Sequence, residues 1–505
     1  MVSINYRLLA RILGYLALFN GVAFLPSAGW ALYYGEYDAL RGILVSSLIV
    51  WILGGLLRAW GKTAPKEFFQ REALLLVALS WVAVSLMGAL PFILTGVLSP
   101  VGAIFESVSG FTTTGASVID NVEAVAKSVL FWRAFTHWWG GIGIVVLFIA
   151  VLPYLGAGGK QAFKVESSGP DPRALRPRVK EGALVLCYIY LTLTVLNTVA
   201  YLLTGKMDLF ESLCHTFACL ATGGFSTRTA SIGAYNSLGV EIVSITFMVC
   251  GASSFSLYFG LAQRKWMTFF KDTEWRAFIF ILATSILLIA LNASGRLGDP
   301  QMPVPPGSAN TPAARPIPTF GHALRASAFS ATSLMTNTGF VTDDFDLWPD
   351  FSRLLLIVLM FIGGCAGSTA GGIKVIRVVM VMKIIFRRIE ATFRPHTVRA
   401  LRIRDDVIAD EIQRDVCAFV IAYIFFFAFA SLVMCLFGLP FISSISAVAA
   451  LMSNTGPGME LLGGAETFSC VPPGGLLFLS LCMIVGRLEL FTMLVLLVPG
   501  FWKVR

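Results

Sequence analysis

The sequence predicts an all-α polytopic membrane protein. It should hold four pseudo-repeated units around one central axis, each a spanning helix, a short re-entrant helix, a loop and a second spanning helix, plus two extra N-terminal transmembrane helices. Three observations predict this. Of 505 residues, 56% are hydrophobic and 13% charged, with mean hydropathy +0.78, whereas a soluble chain carries about 25% charged residues. Ten apolar segments are long enough to cross a bilayer, which takes ~20 helical residues. Four further apolar stretches are too short to span, and each ends in a loop with a Thr-Gly pair.

The spans are expected at about 8–34, 40–58, 73–96, 129–154, 182–204, 238–262, 276–294, 353–386, 411–437 and 474–501. The first is longer than the ~7–15-residue core of a signal peptide and reads as a retained helix. The division along the chain is 1–70 for the two N-terminal helices, then units 71–158, 159–270, 271–390 and 391–505. The second helix of the third unit is expected to be interrupted.

The net charge is +9 and the pI about 9.1. The basic residues sit in short loops: Arg58, Lys62, Lys66 and Arg71; Lys160, Lys164, Arg173, Arg176, Arg178 and Lys180; Arg264, Lys265, Lys271 and Arg276; Arg387, Arg388, Arg394, Arg399, Arg402 and Arg404. Arg7, Arg11, Lys503 and Arg505 fall on the same side. This asymmetry sets orientation, with both termini and these loops cytoplasmic, and argues against nucleic acid as a partner. Nine cysteines without a C-x-x-C pair, and four histidines (His137, His215, His322, His396) far apart, give neither a disulfide framework nor a metal-ligand pattern. Residues 295–318 read as an external coil. Asn292-Ala-Ser294 matches a glycosylation sequon that chance also produces.

The short stretches lie at about 99–111, 207–221, 319–335 and 440–453. A helix that enters and turns back explains both the length and the polar end. Four interfacial helices are the competing reading, but these would not need the same permissive cluster each time. The clusters run Thr112-Thr113-Thr114-Gly115-Ala116-Ser117, Ala221-Thr222-Gly223-Gly224-Phe225, Thr336-Asn337-Thr338-Gly339-Phe340 and Ser453-Asn454-Thr455-Gly456-Pro457-Gly458. Aligned on Thr-Gly, the glycines Gly115, Gly223, Gly339 and Gly456 are 108, 116 and 117 residues apart. Loops of this kind suit a dehydrated cation, because carbonyls around one axis replace its water shell. Glycine allows the backbone to aim them inward, threonine hydroxyls add an oxygen layer, and helix C-termini favour positive charge. The units are therefore read as helix, pore helix, filter loop and helix around a central pore.

The chain resembles the Trk/Ktr/HKT superfamily of K⁺ transporters, and within it the bacterial Trk membrane subunit. The marks are Phe111–Ser117, His137-Trp138-Trp139-Gly140-Gly141-Ile142-Gly143-Ile144, Leu152-Pro153-Tyr154-Leu155-Gly156, the loop Leu175-Arg176-Pro177-Arg178, Ala221–Arg228, Gly363–Lys374 and Val485-Gly486-Arg487-Leu488-Glu489. The resemblance implies K⁺ as the transported ion and no other cofactor. It assigns the filter to Thr113, Thr114, Gly115, Ala116, Thr222, Gly223, Gly224, Asn337, Thr338, Gly339, Phe340, Asn454, Thr455, Gly456 and Pro457. Glycine at all four aligned positions implies K⁺ over Na⁺. The second residue after each, Ser117, Phe225, Val341 and Gly458, is a glycine in every loop of a K⁺ channel, so weaker discrimination is expected here. The resemblance also implies a homodimer, a cytoplasmic nucleotide-binding regulatory subunit and the bacterial inner membrane.

Within 353–386, Gly363, Gly364, Gly367, Gly371 and Gly372 flank Ser368 and Thr369. Each glycine costs a helix ~1 kcal/mol against alanine, so the span should break near mid-membrane, where only protein or a water cavity can satisfy the freed backbone. A glycine-lined packing face is the competing reading. The family has an intramembrane gating loop here. Arg487, in the last span, should face inward and bond the freed carbonyls of 363–372; a salt bridge to Glu489 or Glu106 is the alternative. Lys374 is placed below the same gate. Acids after the loops (Asp120, Glu123, Asp343, Asp344, Asp346, Glu460) either draw cations to the outer mouth or are ordinary loop charge.

The function expected is K⁺ uptake through a channel-like pore, with a Na⁺- or H⁺-coupled symporter or weakly selective K⁺/Na⁺ pathway as the alternative. A membrane enzyme would need clustered acids, histidines or metal ligands, and none is seen. An alternating-access carrier would show paired broken helices, whereas only one span looks strongly interrupted.

Overall fold

The computed structural model describes residues 4–63, 70–151, 175–264, 266–297, 318–394, 400–403 and 406–502. Outside them fall the Leu152–Gly156 run, the 158/159 unit boundary, most of the 295–318 coil, and Lys66, Lys160, Lys164, Arg173, Lys265, Arg399, Arg404, Lys503 and Arg505.

The fold is helical and matches the expected class. The N-terminal segment is two helices, α1 (Tyr6–Ala23) and α2 (Leu25–Tyr34), because Pro26 in the first turn of α2 cannot continue α1. It packs against α3 (Tyr37–Trp60). Their backbones meet at small residues: a Cβ on Gly14 would stand 2.8 Å from the Gly54 carbonyl oxygen, the close approach that drives helix association in lipid.

The first unit runs α4 (Gln70–Gly88), α5 (Leu90–Leu94), the short α6 (Pro100–Phe111) and α7 (Lys127–Val151). The second has α8 (Leu175–Leu203), short α9 (Leu209–Leu220), α10 (Leu238–Ala252) and α11 (Phe255–Ala262). Leu175–Arg178, expected as a loop, forms the first turn of α8, where the missing N–H of Pro177 costs nothing. After the small α12 (Trp266–Phe270), the third unit has α13 (Thr273–Ala293), short α14 (Phe320–Met335), α15 (Asp350–Phe361) and α16 (Val375–Phe393). A two-residue ribbon, β1 (Arg402–Ile403) against β2 (Asp406–Val407), precedes α17 (Asp410–Leu436), short α18 (Phe441–Met452), α19 (Pro473–Arg487) and α20 (Phe491–Leu494).

Among the described residues six helices are long and apolar enough to cross a membrane, or eight if each bent pair is one span. The sequence expected ten spans, and three of them are broken or bent. The 353–386 span is interrupted as predicted, between Phe361 and Val375. Two spans read as continuous are also sharply bent: α10 to α11 turns by 98°, and α19 into the helix after Leu490 by 113°. Among the described residues three of the four units therefore break their second helix, which corrects the expectation of a single interruption. Asn292 is buried and bonds Leu297 O and Ser352 Oγ, so the sequon match is packing, not an exposed acceptor.

Candidate ion pathway

The four short helices are built alike. The N-termini of the first two carry side-chain caps: Ser99 Oγ accepts from Gly102 N, and an Asp208 carboxylate oxygen from Glu211 N at 2.7 Å. Their inner ends close by one hydrogen-bond pattern: Thr114 N to Ser109 O, Gly223 N to Ala218 O, Thr338 N to Ser333 O and Thr455 N to Ala450 O, at 2.7–2.8 Å. This six-to-one bond is the Schellman closure, which requires a left-handed residue just past the helix. Thr113, Thr222, Asn337 and Asn454 fill that place at φ +53 to +56.

Two residues on, the chain turns left-handed again, at Gly115, Gly224, Gly339 and Gly456 (φ +80 to +103). Each packs on the next loop. A Cβ on Gly115 would fall 2.0 Å from Gly223 O, on Gly224 2.0 Å from Thr338 O, on Gly339 2.0 Å from Thr455 O, and on Gly456 2.6 Å from Thr114 O. The four contacts close into a ring in chain order.

This geometry corrects the Thr-Gly alignment. In the second loop the equivalent glycine is Gly224; Gly223 takes the place of Thr114, Thr338 and Thr455. The reason is His137, whose ring fills the space a side chain would need: a Cβ on Gly223 would stand 2.5 Å from its Cγ. The residues after the ring glycines are therefore Ala116, Phe225, Phe340 and Pro457, and the next ones Ser117, Ser226, Val341 and Gly458.

Several ties hold the loops together. His137 Nδ1 bonds Gly110 O at 2.8 Å while its Nε2 accepts from Phe225 N at 3.2 Å, which defines a neutral ring protonated on Nδ1. Glu106, fully buried, accepts from Ser117 Oγ, Val118 N and Arg133 Nε; Arg133 also donates to Ser226 O and lies 3.6 Å from the Phe225 ring centre. Asn337 Nδ2 donates to Thr455 Oγ1 and Met360 O, and Asn454 Nδ2 to Thr114 Oγ1 and Met483 O. A cavity opens on one side of the ring, lined by the four glycines together with Ser117, Ser226, Val341 and Glu466.

On the other side of the short-helix ends lies the break of the third unit. Its ends pair, Ile373 N to Phe361 O at 2.9 Å and Gly363 N to Ile373 O at 3.0 Å. Its middle rests on the break of the second unit: Cys365 N bonds Ala252 O, Thr369 Oγ1 bonds Gly251 O and Leu220 O, and Phe255 N bonds Gly367 O. Gly371 lies under the fourth loop, where a Cβ would stand 2.2 Å from Ser453 O. Gly364 packs against Ala252 and Ala370 and Gly372 against Gly363, Ser368 Oγ bonds Cys365 O, and Lys374 Nζ donates to Ala370 O. Arg487 Nη1 donates to Thr369 O at 2.7 Å, whereas Glu489 pairs with Arg377 and Glu106 with Arg133. Both salt-bridge alternatives for Arg487 thus fall away. Nε and Nη2 of Arg487 are buried without a partner.

Glu274 escaped the sequence reading. One of its carboxylate oxygens accepts from Ala366 N at 2.8 Å and Ile376 N at 3.1 Å, tying the segment to the helix that follows it. The acids after the loops turn out to brace backbone and neighbouring side chains. Asp120 bonds Thr467, which holds its carboxyl below the ordinary range; Asp346 accepts from Glu460 N, while burial pushes its own carboxyl up. Among the described residues no three His, Cys, Asp or Glu gather as a metal site, so backbone and hydroxyl oxygens are what this ring presents.

Fold and site together define an integral membrane protein in which four re-entrant loops of one chain meet in a ring. The TrkH family, described as cation transport protein, matches residues 42–503. Similar proteins include the Trk system potassium uptake protein TrkH of Halomonas elongata, 35% identical over 99% of this chain and 100% of its own, and that of Escherichia coli K12, 34% identical over the same shares. The crystal structure of the potassium transporter TrkH from Vibrio parahaemolyticus superposes with a TM-score of 0.86 at 33% identity, covering 99% of this chain and 100% of the other. The chain belongs to the TrkH family, a family of membrane transport proteins and not of enzymes.

Proposed function

We propose that the protein takes up K⁺ through a channel-like pathway formed by the four loops, with the 362–374 segment as its gate. The observation that carries the reading is the closed ring in which Gly115, Gly224, Gly339 and Gly456 each lie against the carbonyl of the next loop. Backbone so arranged offers a cation a ring of oxygens in place of water. The named relatives are potassium uptake proteins, which selects K⁺ among monovalent cations. The filter comprises the residues of the four loops from Thr113, Thr222, Asn337 and Asn454 onward, with Gly224 rather than Gly223 as the ring glycine of the second. Arg487, Lys374 and Thr369 hold the gate. Unlike residues follow the four glycines, so K⁺ is favoured over Na⁺ less sharply than in a fourfold channel.

The four units follow the boundaries 71–158, 159–270, 271–390 and 391–505. The protein resides in the bacterial inner membrane with both termini cytoplasmic, as the basic loops favour, and works as a homodimer with a cytoplasmic nucleotide-binding regulatory subunit. The test is growth of K⁺-uptake-deficient cells at low K⁺, with a Gly115→Ser variant beside the parent. Failure of the parent, present in the membrane with its regulator, sinks the reading.

The bends of 98° and 113° in the second and fourth units lend support to a second reading, a Na⁺- or H⁺-coupled symporter. Flux in proteoliposomes that requires a Na⁺ or H⁺ gradient would select it.

A further inference from the structure

The two asparagines at the left-handed turns do more than tolerate φ near +56. Both hydrogens of each amide are used. Asn337 Nδ2 reaches Thr455 Oγ1 at 2.7 Å, in the next loop, and Met360 O at 3.0 Å, near the end of α15. Asn454 Nδ2 reaches Thr114 Oγ1 at 2.9 Å, again in the next loop, and Met483 O at 3.0 Å, in α19. The carbonyls of Met360 and Met483 only accept, so the NH₂ end of each amide must face them. Both asparagines are fully buried, and the Oδ1 of each has no partner. That cost is accepted at two positions where loops 1 and 2 carry threonine: Thr113 Oγ1 has no partner, and Thr222 Oγ1 bonds Ala221 O and lies 3.4 Å from Thr369 Oγ1, so neither reaches a threonine of the next loop.

The threonines they hold are constrained further. Thr112 Oγ1 spends its proton on Val108 O and Thr336 Oγ1 on Thr332 O, so in the 2.8 Å pairs Thr112–Thr114 and Thr336–Thr338 the second residue is the donor. Thr114 thus donates to Thr112, accepts from Asn454, and keeps one lone pair uncommitted. Thr455 Oγ1 accepts from Asn337. In loop 2 the layer has no hydroxyl, because Gly223 stands there. Thr114, Thr338 and Thr455 make up the layer, the first two with their protons set in direction and Thr455 fixed as an acceptor.

We propose that Asn337 and Asn454 are positioning residues for cation discrimination: each pins a threonine hydroxyl of the following loop to the broken helix of its own unit, fixing the spacing of the ring's hydroxyl layer. A layer held open suits K⁺ and resists the contraction that the smaller Na⁺ requires. The inference rests on the ring being the K⁺ pathway.

The experiment is flux of radioactive rubidium and sodium into proteoliposomes holding the full chain, for the parent, Asn337→Gly and Asn454→Gly. Glycine keeps the left-handed turn and removes the amide. The rubidium-to-sodium ratio should fall by about fivefold for each variant, the factor one net hydrogen bond supplies. Asn337→Thr and Asn454→Thr, which place the residue of loops 1 and 2 at the same turn, should lower the ratio as well, and they decide the matter if a glycine variant does not fold. A residue that merely supports the fold would reduce both fluxes together and leave the ratio alone; an unchanged ratio in the variants that fold overturns the proposal. A parent that carries neither ion overturns the pathway reading itself, which the variants cannot be confused with.

Discussion

Arg487 and Thr369 are 118 positions apart in sequence and 2.7 Å apart in space, the guanidinium donating to a carbonyl freed by the break in the third unit. Helix α19 thereby holds the interrupted segment. A hydrogen bond from a charged donor contributes about 1.5–3 kcal/mol. Arg487→Ala should therefore speed amide hydrogen exchange at residues 362–374 by roughly ten- to a hundredfold, and, with that segment as the gate proposed above, rubidium flux should rise. Unchanged exchange there would remove Arg487 from the gate.

Glu274 ties the same segment from outside. Glu274→Ala leaves Ala366 N and Ile376 N without their acceptor, each buried loss costing about 1–3 kcal/mol. The melting temperature in detergent should drop clearly for Glu274→Ala and less for Glu274→Gln, which retains a carbonyl oxygen. Equal drops would mean that the charge, not the acceptor, matters.

Gly223 and Gly224 should fail for different reasons. Gly224→Ala meets a backbone carbonyl and a left-handed φ, so no single side-chain change relieves it. Gly223→Ala meets the His137 ring. Rubidium flux lost in Gly223→Ala should return in part in the double variant with His137→Ala, whereas Gly224→Ala with His137→Ala should stay inactive. Rescue of both, or of neither, contradicts Gly224 as the ring glycine of the second loop.

Glu106 and Arg133 form a buried pair whose breakage leaves a lone charge. Glu106→Ala should destabilise the protein by about 3–5 kcal/mol, while removal of both charges in Glu106→Leu with Arg133→Met should cost less. Thermal unfolding in detergent measures both, and additivity of the two single changes would argue that the pair does not act as one.

Much of the architecture was legible in sequence. The short helices begin and end within two residues of the apolar stretches that announced them, because each ends in the same polar loop and starts at a Ser, Asp, Thr or Pro that interrupts the apolar run. The break at 362–374 was legible because five glycines fall within it. The bends after Ala252 and Arg487 were not: Ser253-Ser254 and Leu488-Glu489-Leu490 carry no breaker, and the turns are set by packing against other units. The register of loop 2 was hidden for a related reason. Thr222-Gly223 imitates the pair seen in the other loops, and only His137, 86 positions earlier, shows that the ring glycine is the following one. Glu274 was invisible because its partners lie 92 and 102 residues away.

The ring closes between its first and last members: Asn454 reaches Thr114 across 340 positions of chain. During synthesis the first three loops are therefore made with an open side, and no complete circle of oxygens exists until the fourth unit has entered the bilayer. A nascent or truncated chain lacks the closed ring, so the pathway proposed above is complete only in the finished copy.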